Sequence, residues 1–152
     1  MDIKRIERDV ERVYQWIDMV LRDRITPLEV CDCCGSCCDF DKYGHRLFVT
    51  TPEMIYFLSK IKAGQRKQMV NGVCPYLVFG ECSIHEYRFA GCRIFLCRAD
   101  EEVQSQLSEF SLKKFKNMCN LYSLPYRYQD LSATLADIAD PDSWLHRLVE
   151  NR

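Results

Sequence analysis

Ten of the 152 residues are cysteines, and nine of them fall between Cys31 and Cys97: Cys31, Cys33, Cys34, Cys37, Cys38, Cys74, Cys82, Cys92 and Cys97. Cys119 stands apart. Thiolates attack electrophiles, form disulfides and bind soft metals, so the count raises three chemistries at once. Nucleophilic catalysis needs a base beside the thiol, and no Cys/His pair stands out. A disulfide scaffold belongs to short secreted chains without a core, whereas 47% of this sequence is hydrophobic. Cys33-Cys34 and Cys37-Cys38 are also neighbours, with Cα atoms about 3.8 Å apart, closer than the roughly 4.4–6.8 Å of a relaxed disulfide. Metal binding is the chemistry that remains.

The segment Cys31-Asp-Cys-Cys34-Gly-Ser-Cys37-Cys38 contains the spacing C-x2-C-x2-C-C. Two intervening residues let successive thiolates turn onto one ion or cluster. Three cysteines at this spacing followed by a distant Cys-Pro, here Cys74-Pro75, parallel bacterial ferredoxin ligation, although the interval is far longer. Cys82, Cys92 and Cys97 follow, the last two separated by four residues, which also suits zinc. Cys33 breaks the rhythm and Cys119 falls in a helical stretch, so both read as bystanders. Arg88 and Arg93 lie among these cysteines, placed to donate hydrogen bonds to thiolates or to pair with Glu81 or Glu86. His85, three residues after Cys82, is within reach of replacing one thiolate; His45 and His146 have no comparable context. Glu53 reads as a residue that starts a helix.

Cys31-x-x-Cys34-x-x-Cys37-Cys38, Thr51-Pro52-Glu53, Cys74-Pro75-Tyr76-Leu77, Cys82-Ser-Ile84-His85-Glu-Tyr-Arg88 and Cys92-Arg93-Ile-Phe95 follow one another in order. This series resembles the zinc- or iron-chelating cysteine-cluster family (YkgJ-type), whose cluster is similar to that of flagellin lysine methylases. The resemblance covers residues 31–97 and departs from the family where Arg88-Phe89 stands for the common Arg-Pro. It implies that Cys31, Cys34, Cys37, Cys38, Cys74, Cys82 and Cys92 chelate the metal, with Cys97 fitting as an eighth ligand. The implied cofactor is an iron–sulfur cluster, favoured slightly over zinc by the ferredoxin-like spacing. An accessory, redox or structural role follows. The alternatives are a lysine N-methylase-like enzyme, for which no glycine-rich cradle is present, and a zinc-stapled interaction module.

The elements that must position these cysteines read as a mainly helical single domain, 1–152, of four or five helices around an irregular cysteine-rich metal-binding centre with a small β-hairpin. Residues 1–27 form a first helix, 28–98 the cysteine-cluster core and 99–152 the later helices. Ile3, Ile6, Val10, Val13, Ile17 and Val20 make one stripe of the first helix, and Asp18 and Arg22 an i,i+4 pair on its polar side. The stripe suits docking onto the domain, with a seam for a protein partner as the alternative. Thr50-Thr51-Pro52-Glu53 starts a second helix with Met54, Ile55, Leu58 and Ile61 inward and Gly64 as its cap. Asn71-Gly72 is a turn, and Tyr76–Phe79 with Cys82–Ile84 form a hairpin across Gly80. Asp100 caps a long helix ending before Pro125, with Val103, Leu107, Phe110, Met118 and Leu121 on its main face; Leu131–Ala139 and a helix opened by Asp140-Pro141 follow.

Charge closes the inventory. Twenty-one basic and 22 acidic side chains give a net charge of -1, no electrostatic reason to expect nucleic acid or a membrane surface as partner. No apolar run approaches the roughly 20 residues of a spanning helix. The start, MDIKRIERDVER, is too charged for a secretory signal, which points to the cytoplasm.

Overall fold

The computed structural model describes residues 1–24, 36–95 and 100–150. Cys31, Cys33, Cys34 and Cys97 therefore lie outside the described residues. The chain is mainly helical, with seven α-helices among the described residues and two small antiparallel sheets. In chain order these are α1 (Ile3–Arg24), α2 (Phe40–Tyr43), β1 (Phe48–Thr50), α3 (Thr51–Lys60), β2 (Leu77–Val78), β3 (Glu81–Cys82), α4 (Ala90–Ile94), α5 (Glu101–Tyr122), β4 (Tyr128–Asp130), α6 (Leu131–Asp137) and α7 (Pro141–Glu150). The helix number exceeds the expected four or five because α2 and α4 are single turns too short for a periodic signal.

Helix α1 packs its apolar stripe against α3, α4 and α5, so that stripe is consumed inside the chain. Ile6, Val10, Val13 and Ile17 are buried as expected, joined by Tyr14 and Leu21, while Ile3 is exposed. The expected Asp18–Arg22 pair gives way to an ion pair between Asp18 and Arg93 of α4. Helix α3 begins at Thr51 with Thr50 as its N-cap and Pro52 in the first turn. It ends at Lys60, where Ile61 turns extended; Gly64 falls in a following 3-10 turn and is not the cap. Helix α5 starts where Asp100 accepts hydrogen bonds from the backbone N–H groups of Glu102 and Val103. Its inward face is rotated from the expected one: Leu107, Ser111, Phe115, Met118 and Cys119 are buried, and Phe110 and Leu121 are exposed.

The hairpin expected around Gly80 is present, Leu77 opposite Cys82 and Val78 opposite Glu81. Its two-residue turn puts both Phe79 (φ 51°) and Gly80 (φ 77°) in the left-handed region, as a type I′ turn requires. Phe79 is fully exposed and gains no burial in return for the strain. Phe79→Asn is therefore expected to raise the unfolding free energy by about 1 kcal/mol, read as a higher urea midpoint at unchanged slope. A second sheet pairs β1 with β4, Phe48 opposite Asp130 and Thr50 opposite Tyr128, tying the cysteine-bearing half to the last helices.

Candidate metal centre

The described cysteines of the middle segment sit on three short pieces of chain, and backbone hydrogen bonds bring the pieces together. Cys37 and Cys38 end the 3-10 turn Ser36–Cys38, directly before Asp39, whose side chain caps α2 through the Lys42 N–H. Asn71 and Gly72 both take positive φ, about 60° and 65°, and turn the chain so that Val73 bridges antiparallel to Asp39. The Gly72 carbonyl accepts from Phe40 N–H at 2.9 Å and from Asp41 N–H at 3.3 Å. Any Cβ at Gly72 would lie 2.1 Å from the Asp41 carboxyl carbon, so both the dihedral and the space demand glycine. Two residues after Gly72, Cys74 N–H donates to the Cys38 carbonyl at 2.8 Å. The Cys74 carbonyl accepts from Leu77 N–H, and Ser83 donates to the Tyr76 carbonyl through N–H at 2.8 Å and Oγ at 2.6 Å, which folds the hairpin back and delivers Cys82.

The thiols meet on Cys38. Its sulfur is within hydrogen-bonding reach of Cys37, Cys74 and Cys82. These contacts divide the protons unequally. Hydrogen bonding to Cys38 is the main cause lowering Cys37 and Cys82 to about 6, and Arg88's positive charge assists at both. The same contact lowers Cys74, while Cys38 is pushed far up and keeps its proton. Cys92, on α4, lies close enough to Cys74, Cys37 and Cys82 to feel their charge; burial first, then that charge, raises its thiol. Cys119 is buried in α5 and raised to about 12 by desolvation alone, with no other cysteine acting on it, as expected of a packing residue.

Mutual electrostatic influence among these thiols is not a ready-made coordination shell. Among the described residues, no three Cys, His, Asp or Glu side chains are arranged to hold a metal ion. No helix of the described residues is long and apolar enough to cross a membrane.

The two arginines separate. Arg88 acts on Cys37, Cys82 and Cys92 by charge, and its Nε is buried with no hydrogen-bond partner among the described residues. Arg93 does not donate to sulfur in the described contacts. Its Nη1 pairs with Asp18 at 2.7 Å, Nη2 and Nε donate to the carbonyls of Glu86 and Arg88 at 2.9 Å each, and the guanidinium lies 4.3 Å from the Tyr14 ring centre. Neither Glu81 nor Glu86 offers it a carboxylate among these contacts; Asp18, 75 positions away, does. Arg93 therefore fixes α4, and with it Cys92, against α1. Arg93→Met is expected to cost about 2 kcal/mol, below the usual value for breaking a buried pair because Asp18 is 41% exposed, and to show as a lower urea midpoint.

His45 and Glu53 do more around the site than their sequence context indicates. His45 donates through Nε2 to the Cys37 carbonyl at 3.1 Å while its ring packs edge-on to Phe40. Only its position just after the cysteine run hinted at this. His85 is held below its ordinary value by desolvation and then by Arg88 and Arg93, and its Nε2 is buried without a partner. Glu53 is more than a helix-start residue. Nearly fully buried, its carboxylate accepts from Thr50 N–H at 2.9 Å, Thr50 Oγ1 at 2.8 Å, Ala90 N–H at 2.7 Å and Tyr14 OH at 3.3 Å. It thereby links α3 to α1 and to the first residue of α4.

No family model, curated protein or solved structure matches this chain. Function has to be read from the geometry.

Proposed function

We propose that the chain is a cytosolic metal-binding cysteine-cluster protein of the YkgJ type, holding an iron–sulfur cluster, or zinc in its place, in an accessory, redox or structural role. The observation that carries this is the meeting of Cys37, Cys74 and Cys82, from separate pieces of chain, on the sulfur of Cys38. The donor set fits the group. Thiols that raise and lower one another in this way cannot all ionise unless a cation offsets their charge, and soft thiolates are the ligands that zinc and iron–sulfur clusters take. Arg88 adds positive charge, and its Nε, a donor with no acceptor among the described residues, suits a sulfur or sulfide.

Cys37, Cys38, Cys74 and Cys82 would hold the metal, with Cys92 beside them and Cys31, Cys34 and Cys97 supplied from outside the described residues. Bound iron–sulfur would supply one-electron chemistry; bound zinc would supply a closed structural link. The protein's own part is to gather the sulfurs near Arg88 and to set Cys38 and Cys74 in the buried core.

The test is metal analysis of protein purified without oxygen. A brown chain with iron and acid-labile sulfide is the expected result. Stoichiometric zinc with no colour would assign the structural form. Neither iron nor zinc on freshly isolated protein, with no uptake on reconstitution, would defeat the reading.

A further inference from the structure

We infer that Cys38 and Cys74 are a disulfide-forming pair, a modification site for a small peroxide-class oxidant. The inference stands on backbone pairing and holds whether or not the site takes a metal. The Asp39–Val73 bridge, flanked by Phe40 N–H to Gly72 and Cys74 N–H to Cys38, sets Cys38 directly across from Cys74. Residues so paired have Cα atoms about 5.5 Å apart, inside the roughly 4.4–6.8 Å that a disulfide spans. Their side chains leave the same face of the ladder. The two thiols interact electrostatically, Cys38 lowering Cys74. The left-handed turn at Asn71-Gly72 holds this register in place before any oxidation, so closing the bond asks little movement of the backbone.

The other partners of Cys38 are less suited. Cys37 is its chain neighbour, about 3.8 Å away at Cα, which strains a disulfide. Cys82 interacts with Cys38 only through its thiol, and its backbone is paired with Leu77. Cys38 and Cys74 are 9% and 7% exposed, open to a molecule of peroxide size and closed to bulky disulfides. In the reaction the Cys74 sulfur attacks one peroxide oxygen, the O–O bond breaks, and the departing hydroxide takes the thiol proton as water. The Cys38 sulfur then attacks the Cys74 sulfur, the S–O bond breaks, and the second oxygen leaves as water with the Cys38 proton. Two thiols are oxidised and one peroxide is reduced to two waters.

The full chain, stripped of metal with a chelator and kept free of oxygen, is treated with one equivalent of hydrogen peroxide. Remaining thiols are alkylated, and the chain is cut by trypsin together with a protease that cleaves after glutamate. Cleavage after Glu81 separates Cys74 from Cys82. The expected product is a peptide carrying Cys74 linked to the peptide that carries Cys31 through Cys38, with fragmentation between Cys37 and Cys38 placing the link on Cys38, and with two of the ten thiols lost to alkylation. The link should vanish in Cys74→Ser and persist in Cys82→Ser, while mapping of the unaltered chain decides the matter even if a variant folds poorly. A link from Cys38 to Cys37 or Cys82, scrambled links, or ten alkylated thiols would overturn the inference. Metal removal beforehand keeps this result separate from the metal analysis above.

Discussion

Cys38→Ser is expected to purify with little or no metal and to show an affinity for it lower by about two orders of magnitude. The expectation follows from position and chemistry together. Cys38 is the sulfur on which Cys37, Cys74 and Cys82 converge, so its loss removes a ligand and the contact that organises the others. Serine keeps the shape but not the thiolate, and the alkoxide that would replace it is inaccessible near neutral pH. Structural zinc sites bind with apparent free energies of about 10–16 kcal/mol spread over four ligands, or roughly 3 kcal/mol each, which is the stated loss. Cys119→Ala is the control. That thiol sits in α5 away from the cluster, so the variant should keep its full metal content while losing some packing energy. Metal content by mass spectrometry and a chelator competition titration check both. Full occupancy in Cys38→Ser, or depletion in Cys119→Ala, would remove Cys38 from the centre of the site.

The cysteine spacing shows which residues have the chemistry, and it cannot show how they meet. Cys38 and Cys74 come together because Asn71-Gly72 reverses the chain and Asp39 bridges Val73. The turn is legible in the dipeptide; the bridge, across 34 positions, carries no local pattern. The same holds for β1 and β4. Leu47-Phe48-Val49 reads as a strand, but Tyr128-Gln-Asp130 has neither alternation nor a turn signal, and only its partner makes it one. Long periodic helices are the readable part: α1 carries its expected stripe, and α3 and α5 begin where Thr50 and Asp100 cap them. Their faces were less readable. Helix α5 carries apolar residues on more than one side, and its contacts with α1, α3 and α4 choose Phe115 over Phe110 and Leu121. Arg93 was misassigned for a related reason. Sequence neighbours offered it cysteines and Glu86, whereas packing of α1 on α4 supplied Asp18. The segments carrying Cys31, Cys34 and Cys97 fall outside the described residues, so those three of the eight expected ligands rest on spacing and resemblance.

Glu53→Gln is expected to destabilise the fold by about 3 kcal/mol, a large share of the roughly 5–15 kcal/mol that holds a domain of this size together. Both carboxylate oxygens are in use: Oε2 accepts from Thr50 N–H and Oγ1, and Oε1 from Ala90 N–H and Tyr14 OH. An amide presents an N–H2 where one oxygen was, setting donor against donor and leaving buried groups unsatisfied at roughly 1–3 kcal/mol each. The damage would reach the cysteines, because Ala90 opens the short helix that carries Cys92. The pH dependence has a definite sign. Burial raises Glu53 above its ordinary carboxylate value, outweighing the hydrogen bonds that pull it down. The folded chain therefore holds this proton more tightly than the unfolded chain does. The stabilisation is complete below the ordinary value and lost as pH rises through the raised one. Glutamine does not titrate, so the gap between the unaltered protein and Glu53→Gln should be widest at acid pH and narrow across that window. Urea midpoints at several pH values measure it. A gap that widens as pH rises would mean that the four hydrogen bonds outweigh burial and that Glu53 is held charged.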